Sequence, residues 1–113
     1  MKIADILKTK NFTLFTANPS TDLQVAVDLM AEKDLGSLVV LEGGVLVGML
    51  TFREIIASLS FTRGTITGTT VGQVMERSPL VLTSETDVHD TRQAMLDRHA
   101  RYVPIIDSHV LMG

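Results

Sequence analysis

The sequence predicts a mixed α/β protein built from two copies of one helix-and-strand repeat. When the chain is aligned with itself, segment 22–48 matches segment 87–113 without a gap, at a shift of 65 positions. Apolar, acidic and turn positions coincide along this register, although few identities do. Self-similarity at a fixed period is typical of repeat architectures. A chain of 113 residues provides for one modest hydrophobic core.

Each repeat is predicted to open with a short helix, over 3–8 in the first and 71–76 in the second, where Thr70 is the candidate N-cap. These openings correspond at a shift of 68, because the connection that follows the first helix is three residues longer. Short extended segments are expected next, over 13–16 and 80–83.

A longer helix follows in each repeat. Leu23, Ala26, Val27 and Met30 recur at helical spacing, which predicts one buried face of a helix over 22–34. The second repeat carries an equivalent stripe, formed by Val88, Thr91 and Met95. The candidate N-caps of the two helices are Ser20 or Thr21 and Ser84 or Thr86.

Two strands are then expected to form a hairpin. In the first repeat, apolar runs over 37–41 and 45–50 flank Gly43-Gly44, a pair typical of a tight hairpin turn. The equivalent strands of the second repeat are 102–106 and 109–112. Their nearly continuous apolar character predicts burial on both faces of the sheet.

Thr51 is the predicted N-cap of a last helix over 53–60, whose apolar side consists of Ile55, Ile56 and Leu59. The stretch that follows is rich in Thr and Gly, which indicates a linker. We therefore expect a first repeat over 1–61, a linker over 62–69 and a second repeat over 70–113. By the same register, the second repeat stops before its own last helix.

Composition argues against several classes of protein. The chain has no cysteine, which excludes disulfides, thiol catalysis and Cys-type zinc sites. The three histidines, His89, His99 and His109, are not spaced as metal ligands, so no metal site is predicted. A net charge of −3 argues against nucleic-acid binding.

No membrane span and no secretion signal are predicted. The most apolar stretch, 35–52, is interrupted by Glu42 and a Gly-Gly pair, and the N-terminus carries no long apolar run. A cytoplasmic location is expected. The chain also contains no nucleophile elbow, P-loop or dinucleotide glycine fingerprint, so no enzymatic activity is predicted.

Four stretches resemble the cystathionine β-synthase (CBS) domain, which occurs as tandem pairs called Bateman modules. They are VGQVM, SPLVLTSETDVHDTRQAM, RYVPIID and GGVLVGMLTFREI. The resemblance covers nearly the whole chain. It implies two β-α-β-β-α repeats packed about a pseudo-twofold axis, the second here lacking its last helix.

The same resemblance implies a regulatory module with no reaction and no required cofactor. Its ligand would be an adenosine-type nucleotide in the cleft between the repeats: AMP, ADP or ATP, with S-adenosylmethionine or an NAD-type dinucleotide as alternatives. It also implies a homodimer, which the high apolar content favours as well. The regulated protein is not specified by the sequence. The alternative is a dimerisation or scaffold domain whose cleft is vestigial and empty.

The family's nucleotide signature, Gly-x-x-Thr/Ser-x-x-Asp, matches the run from Gly48 to Glu54. Gly48 would let the backbone approach a ligand, Thr51 would offer a hydroxyl at a helix N-terminus that favours phosphate, and Arg53 is a candidate phosphate partner. Glu54 departs from the family's Asp, and its longer side chain moves the carboxylate away from a ribose. Thr-x-x-Glu is also a capping-box pattern, so a purely structural role is the alternative.

By the same resemblance, the second repeat adds five candidates to this pocket: Val81, Thr83, Arg101, Tyr102 and Pro104. The backbone and apolar groups would hold adenine, and Arg101 is a second candidate phosphate partner. A proline inside a strand cannot donate a backbone hydrogen bond to the sheet, which favours an edge strand. That edge either faces a ligand or is an ordinary sheet edge. A pseudo-symmetric second site would use Thr16, but its signature is incomplete because the sequence stops at Gly113.

Overall fold

The computed structural model describes residues 1–9 and 14–113, which form two compact units. One unit is a continuous stretch, 15–78, and the other combines 1–14 with 79–113. We call them the continuous unit and the discontinuous unit. Each contains the main helix and strands of one repeat together with the opening helix of the other repeat.

The continuous unit is built around a three-stranded sheet of order β1-β2-β3. The strands are β1 (Thr16–Ala17), β2 (Ser37–Glu42) and β3 (Val45–Thr51). β1 runs parallel to β2, and β2 runs antiparallel to β3. Three helices accompany the sheet, α2 (Leu23–Glu32), α3 (Phe52–Thr62) and α4 (Val71–Val74). α2 packs on β2, while α3 and α4 pack on β3.

The hairpin between β2 and β3 turns at Gly43 and Gly44, with φ values of 58° and 80°. Positive φ at both central residues is the requirement of a type I′ turn, so the predicted hairpin is confirmed. Because glycine lacks a Cβ atom, it adopts these angles without steric cost.

The core of the continuous unit is formed by Leu23, Ala26, Met30, Leu38, Val40, Leu50, Val71 and Met75. The stripe predicted for α2 is confirmed at Leu23, Ala26 and Met30, which are buried, whereas Val27 is half-buried. In β2, Leu38 and Val40 are buried, whereas Val39 and Leu41 are half-buried. The expected burial on both faces is therefore only partly reached.

The discontinuous unit contains α1 (Ile3–Thr9), α5 (Val88–Arg98) and a hairpin of β4 (Ile106–Asp107) with β5 (Val110–Leu111). The strands predicted over 102–106 and 109–112 are thus shorter than expected. Pro104 has no N–H to donate, which explains why the ladder begins after it. The segment predicted as a strand over 80–83 forms a single parallel bridge, between Leu82 and Ile105.

The opening helix of the second repeat is held by the loop before α2. Val71 N–H donates to the Thr21 carbonyl at 2.8 Å, and Gly72 N–H donates to the Pro19 carbonyl at 2.9 Å. The discontinuous unit repeats this pattern at equivalent positions, with Ile3 and Ala4 donating to the carbonyls of Thr86 and Ser84 at 2.9 and 2.8 Å. The exchange of opening helices is therefore reciprocal.

Two N-cap predictions were wrong. α2 and α5 begin after Asp22 and Asp87, one to three residues later than expected. The hydroxyls of Thr21 and Thr86 instead accept hydrogen bonds from the backbone three residues earlier, at 3.2 and 3.4 Å. They close the turn that precedes each helix and are not available to cap it.

Three further element predictions need correction. Ile56 was placed on the apolar side of α3, but it is 64% exposed, while Ser58 is buried. The helix predicted over 71–76 ends at Val74, because Glu76 pairs with Met49 as an isolated β-bridge. The extended segment predicted over 13–16 appears only as β1, and Thr13 lies outside the described residues.

Candidate functional site

The signature run lies at the junction of β3 and α3. Thr51 has an extended backbone, with φ −128° and ψ 176°, and it caps α3 as predicted. Its hydroxyl accepts a hydrogen bond from Arg53 N–H at 3.2 Å. Glu54 Oε1 accepts from both the N–H and the hydroxyl of Thr51, at 2.7 and 2.8 Å. Thr51 and Glu54 therefore form the capping box that the sequence offered as the structural alternative.

This arrangement constrains ligand binding at the junction. The N-terminus of α3 favours negative charge, and the Glu54 carboxylate already lies there. A phosphate at the same place would be repelled by Glu54, and it would need the Thr51 hydroxyl to donate elsewhere than to Glu54. The carboxylate of the half-buried Glu54 is thus engaged by local hydrogen bonds.

Gly48 is buried between protein groups. A Cβ atom added to it would lie 2.7 Å from Met75 Sδ and 2.7 Å from the Glu76 carbonyl oxygen. Both distances are shorter than van der Waals contact, so only glycine fits here without movement of its neighbours. The predicted role of Gly48 in ligand approach stays a prediction.

Two other candidates of the continuous unit are exposed. Thr16 lies on β1 in register with Val39 of β2, which is opposite Met49 of β3. Arg53 lies in the first turn of α3, directly after the junction. Thr16 and the junction therefore belong to one sheet and are separated by β2.

The candidate ligand-binding residues of the discontinuous unit lie on two chain segments that are joined by backbone hydrogen bonds. Leu82 N–H donates to the Pro104 carbonyl at 3.2 Å, and Ile106 N–H donates to the Leu82 carbonyl at 2.9 Å. Segments 81–83 and 104–106 therefore lie side by side, with Leu82 opposite Ile105. Val81 and Tyr102 are 39% and 38% exposed. The remaining candidates divide into exposed Thr83 and Arg101 and fully buried Pro104.

Comparison with known proteins decides the family. The family model for the CBS domain matches residues 3–60 and 71–113. The chain belongs to the CBS domain family. The family predicted from the sequence motifs, and with it the mixed α/β fold class, is confirmed.

Individual relatives agree with this assignment. The CBS domain-containing protein YhcV of Bacillus subtilis is 31% identical over 111 residues, which cover 98% of this chain and 79% of YhcV. A CBS-domain protein from Burkholderia ambifaria superposes with a TM-score of 0.93 at 25% identity, over 100% of this chain and 85% of that one. The structure of CBSX2 in complex with AMP gives a TM-score of 0.82 at 28% identity, over 99% of this chain and 87% of that one.

Three charged groups of this CBS protein have shifted pKa values among the described residues, and all lie in the discontinuous unit. Hydrogen bonds from the Ser84 hydroxyl (2.5 Å) and N–H (2.9 Å) lower the pKa of Asp107. The His89 N–H lowers the pKa of Asp87, and the Glu85 carboxylate raises the pKa of Lys2. These groups fix the loop before α5 and do not belong to the predicted ligand set.

The described part of the chain contains no group of three His, Asp or Glu side chains able to hold a metal ion. None of its helices is long and apolar enough to cross a membrane.

Sequence reasoning missed Met75 and Glu76 as neighbours of the CBS signature. Met49 N–H donates to the Glu76 carbonyl at 2.9 Å, and Glu76 N–H donates to the Met49 carbonyl at 2.8 Å. No spacing rule connects a strand of one repeat with the end of a helix in the next. The signal present in the sequence was Gly48 itself. The prediction of a ligand site already accounted for a glycine at this position, so no further contact was sought.

Proposed function

We propose that this CBS pair is a regulatory module that binds an adenosine-type nucleotide and shifts its conformational equilibrium when it does so. The observation that carries the proposal is Thr51 at the N-terminus of α3, with Arg53 in the next turn. A protein 28% identical to this chain has been solved in complex with AMP, which supports the same ligand class.

The phosphate of the ligand would bind at the β3–α3 junction. An eleven-residue helix presents partial positive charge at its N-terminus, and a hydroxyl and a guanidinium next to it are suitable phosphate donors. Binding requires the Thr51 hydroxyl to exchange its bond to Glu54 for one to the phosphate. We therefore expect the capping box to open on the hydroxyl side, while the bond from Thr51 N–H to Glu54 persists.

The residues that the family resemblance predicts to contact adenine belong to the discontinuous unit. Val81 and Tyr102 expose apolar and aromatic surface, and the paired segments 81–83 and 104–106 continue from them along the chain. An aromatic ring contributes large contact area for a planar base. Arg101 and Thr83 add exposed polar groups nearby in sequence.

The scaffold alternative rests on a different observation. The Glu54 carboxylate is occupied by Thr51, and several helices expose apolar side chains: Val25, Phe52, Ile56 and Leu96. Apolar residues on helix surfaces favour self-association. We propose that the chain forms a homodimer whether or not a nucleotide binds, and sedimentation at tens of micromolar tests this directly. A monomeric mass would contradict it.

Nucleotide binding is tested by thermal shift and titration calorimetry with AMP, ATP, S-adenosylmethionine and NADH. A ligand at 100 times its dissociation constant stabilises the folded state by about 2.7 kcal/mol. We expect at least one of the four compounds to raise the melting temperature. If none does so at millimolar concentration, the nucleotide proposal fails and the scaffold function remains.

Variants place the site. Thr51→Ala should weaken nucleotide binding roughly tenfold, because it removes a hydrogen bond to a charged group, and should destabilise α3 by about 1 kcal/mol. Asp87→Ala is the matched control, since it removes the cap of α5, whose side chain accepts from His89 N–H at 2.8 Å. It should cost similar stability and leave affinity unchanged. Thr51→Ser should keep most of the affinity.

Tyr102→Ala tests the predicted adenine contact separately and should also weaken nucleotide binding. Equal affinity for every variant would show that the site is elsewhere.

A further inference from the structure

We propose that segment 71–76, the opening of the second repeat, is the positioning element for the β3–α3 junction. In this arrangement position 48 must be a glycine, because Met75 and Glu76 fill the space that a side chain would occupy. Gly48 then does not contact the ligand. The inference rests on the proposed function, because it concerns how the Thr51 end of β3 is held ready for a nucleotide. All of the residues involved lie in the continuous unit.

The first support is the pairing of β3 on both of its edges. Met49 lies opposite Val39 of β2 on one side. On the other side it exchanges two backbone hydrogen bonds with Glu76, at 2.9 and 2.8 Å. Met49 is two residues before Thr51, so the approach of the strand to the junction is fixed from both directions. Without Glu76, one edge of β3 at this point would lose its partner.

The second support is the close fit at Gly48. The space of a Cβ atom is filled by the Met75 side chain and the Glu76 carbonyl oxygen, each at 2.7 Å. That carbonyl oxygen is the acceptor of the Met49 N–H. A side chain at position 48 would therefore press on the same group that pairs with the strand. The glycine permits the bridge to form.

The third support is that segment 71–76 is itself firmly held. Val71 is fully buried and Met75 is 8% exposed. Arg77 Nη2 donates to the Gly72 carbonyl at 2.7 Å, and Glu76 Oε1 accepts from Ser78 N–H at 2.9 Å. The segment can thus act as a fixed support for the strand. Loosening it should loosen Thr51 as well, so docking of 71–76 and binding at Thr51 are thermodynamically linked.

The test compares three variants: Gly48→Ala, Met75→Ala and the double variant. In the protein without ligand, Gly48→Ala should accelerate hydrogen exchange at the Glu76 and Thr51 amides about tenfold, since overpacking separates the bridge. With AMP as the probe, the dissociation constant should rise about tenfold. Met75→Ala removes one of the two obstructing groups. The double variant should therefore reverse at least half of the change that Gly48→Ala causes in the exchange rates and in the AMP dissociation constant, both taken on a logarithmic scale.

Matched controls separate positioning from general instability. Val40 lies opposite Gly48 in β2 and is fully buried, so Val40→Ala destabilises the same sheet without touching Glu76. Compared at equal fraction folded, it should leave AMP affinity and Thr51 exchange near wild type. Met95→Ala, in α5, controls for the loss of a methionine in the same way. If Gly48→Ala does not fold, Met75→Ala alone must still weaken AMP binding more than Met95→Ala does.

The outcomes distinguish this inference from the proposed function. If the wild-type protein does not bind AMP, the AMP form of the proposed function fails, while the exchange data still decide whether 71–76 positions Thr51. Unchanged Thr51 exchange in Gly48→Ala overturns the positioning role. So does a double variant that recovers nothing, or an AMP affinity that is equal in Gly48→Ala and the wild type.

Discussion

Two hairpin turns at equivalent positions of the repeats adopt the same backbone geometry with different residues. Gly43 and Gly44 have φ values of 58° and 80°, and Ser108 and His109 have 47° and 68°. The left-handed region is natural for glycine and costs a residue with a Cβ atom about 1 kcal/mol or more. The second hairpin therefore stores strain that the first avoids.

We expect Ser108→Asn combined with His109→Gly to stabilise the protein by about 1 kcal/mol, because Asn-Gly is the preferred pair for a type I′ turn. Urea unfolding measures the change. Gly44→Ala is the reciprocal control and should destabilise by a similar amount. A substituted turn with unchanged stability would show that the strain at Ser108 and His109 is relieved elsewhere.

At the level of elements, the two opening helices dock by the same hydrogen bonds but with different contacts. Gly72 faces Pro19, whose Cβ and carbonyl oxygen would each lie 2.9 Å from an added Cβ atom. The equivalent position in α1 is Ala4, which donates to the carbonyl of Ser84. The helix residue is thus alanine where the loop residue is serine, and it is glycine where the loop residue is proline.

Gly72→Ala should therefore destabilise the continuous unit by about 1–3 kcal/mol, the usual cost of overpacking. Adding Pro19→Ser, which reproduces the pairing seen at Ala4 and Ser84, should recover part of this loss. A double-mutant cycle on the free energy of unfolding measures the coupling. Strict additivity of the two changes would contradict the proposed contact.

The sequence was most informative where a local period or a local turn determines the structure. The α2 stripe, the Gly43-Gly44 hairpin and the Thr51 cap each depend on residues a few positions apart, and each was predicted. The short strands around Pro104 and the exposure of Ile56 depend on distant partners, so local patterns misjudged them. The junction of β3 and α3 shows the same division. Its capping box was foreseen as an alternative, whereas the contacts of Gly48 with Met75 and Glu76 were not.

At the scale of the whole molecule, repeats in sequence and compact units in structure follow different boundaries. Every member of the buried core cluster lies within 15–78, and two of them, Val71 and Met75, belong to the second repeat. A fragment cut at the repeat boundary would lose both side chains. It would also lose Glu76, the partner of Met49, and Thr69, whose carbonyl accepts from Leu23 N–H at 2.8 Å.

We therefore expect fragment 15–78 to fold alone and fragment 1–61, of nearly equal length, to remain unfolded. Burying a large aliphatic side chain contributes about 1.5–3 kcal/mol, so losing Val71 and Met75 removes much of the stability of a small domain. Urea titration followed by circular dichroism distinguishes a cooperative transition from a gradual one. Restoring residues 62–78 to fragment 1–61 should restore cooperativity, whereas the same extension carrying Val71→Asp should not. A cooperative transition in fragment 1–61 itself would show that the repeat, and not the exchanged unit, is the folding unit of this chain.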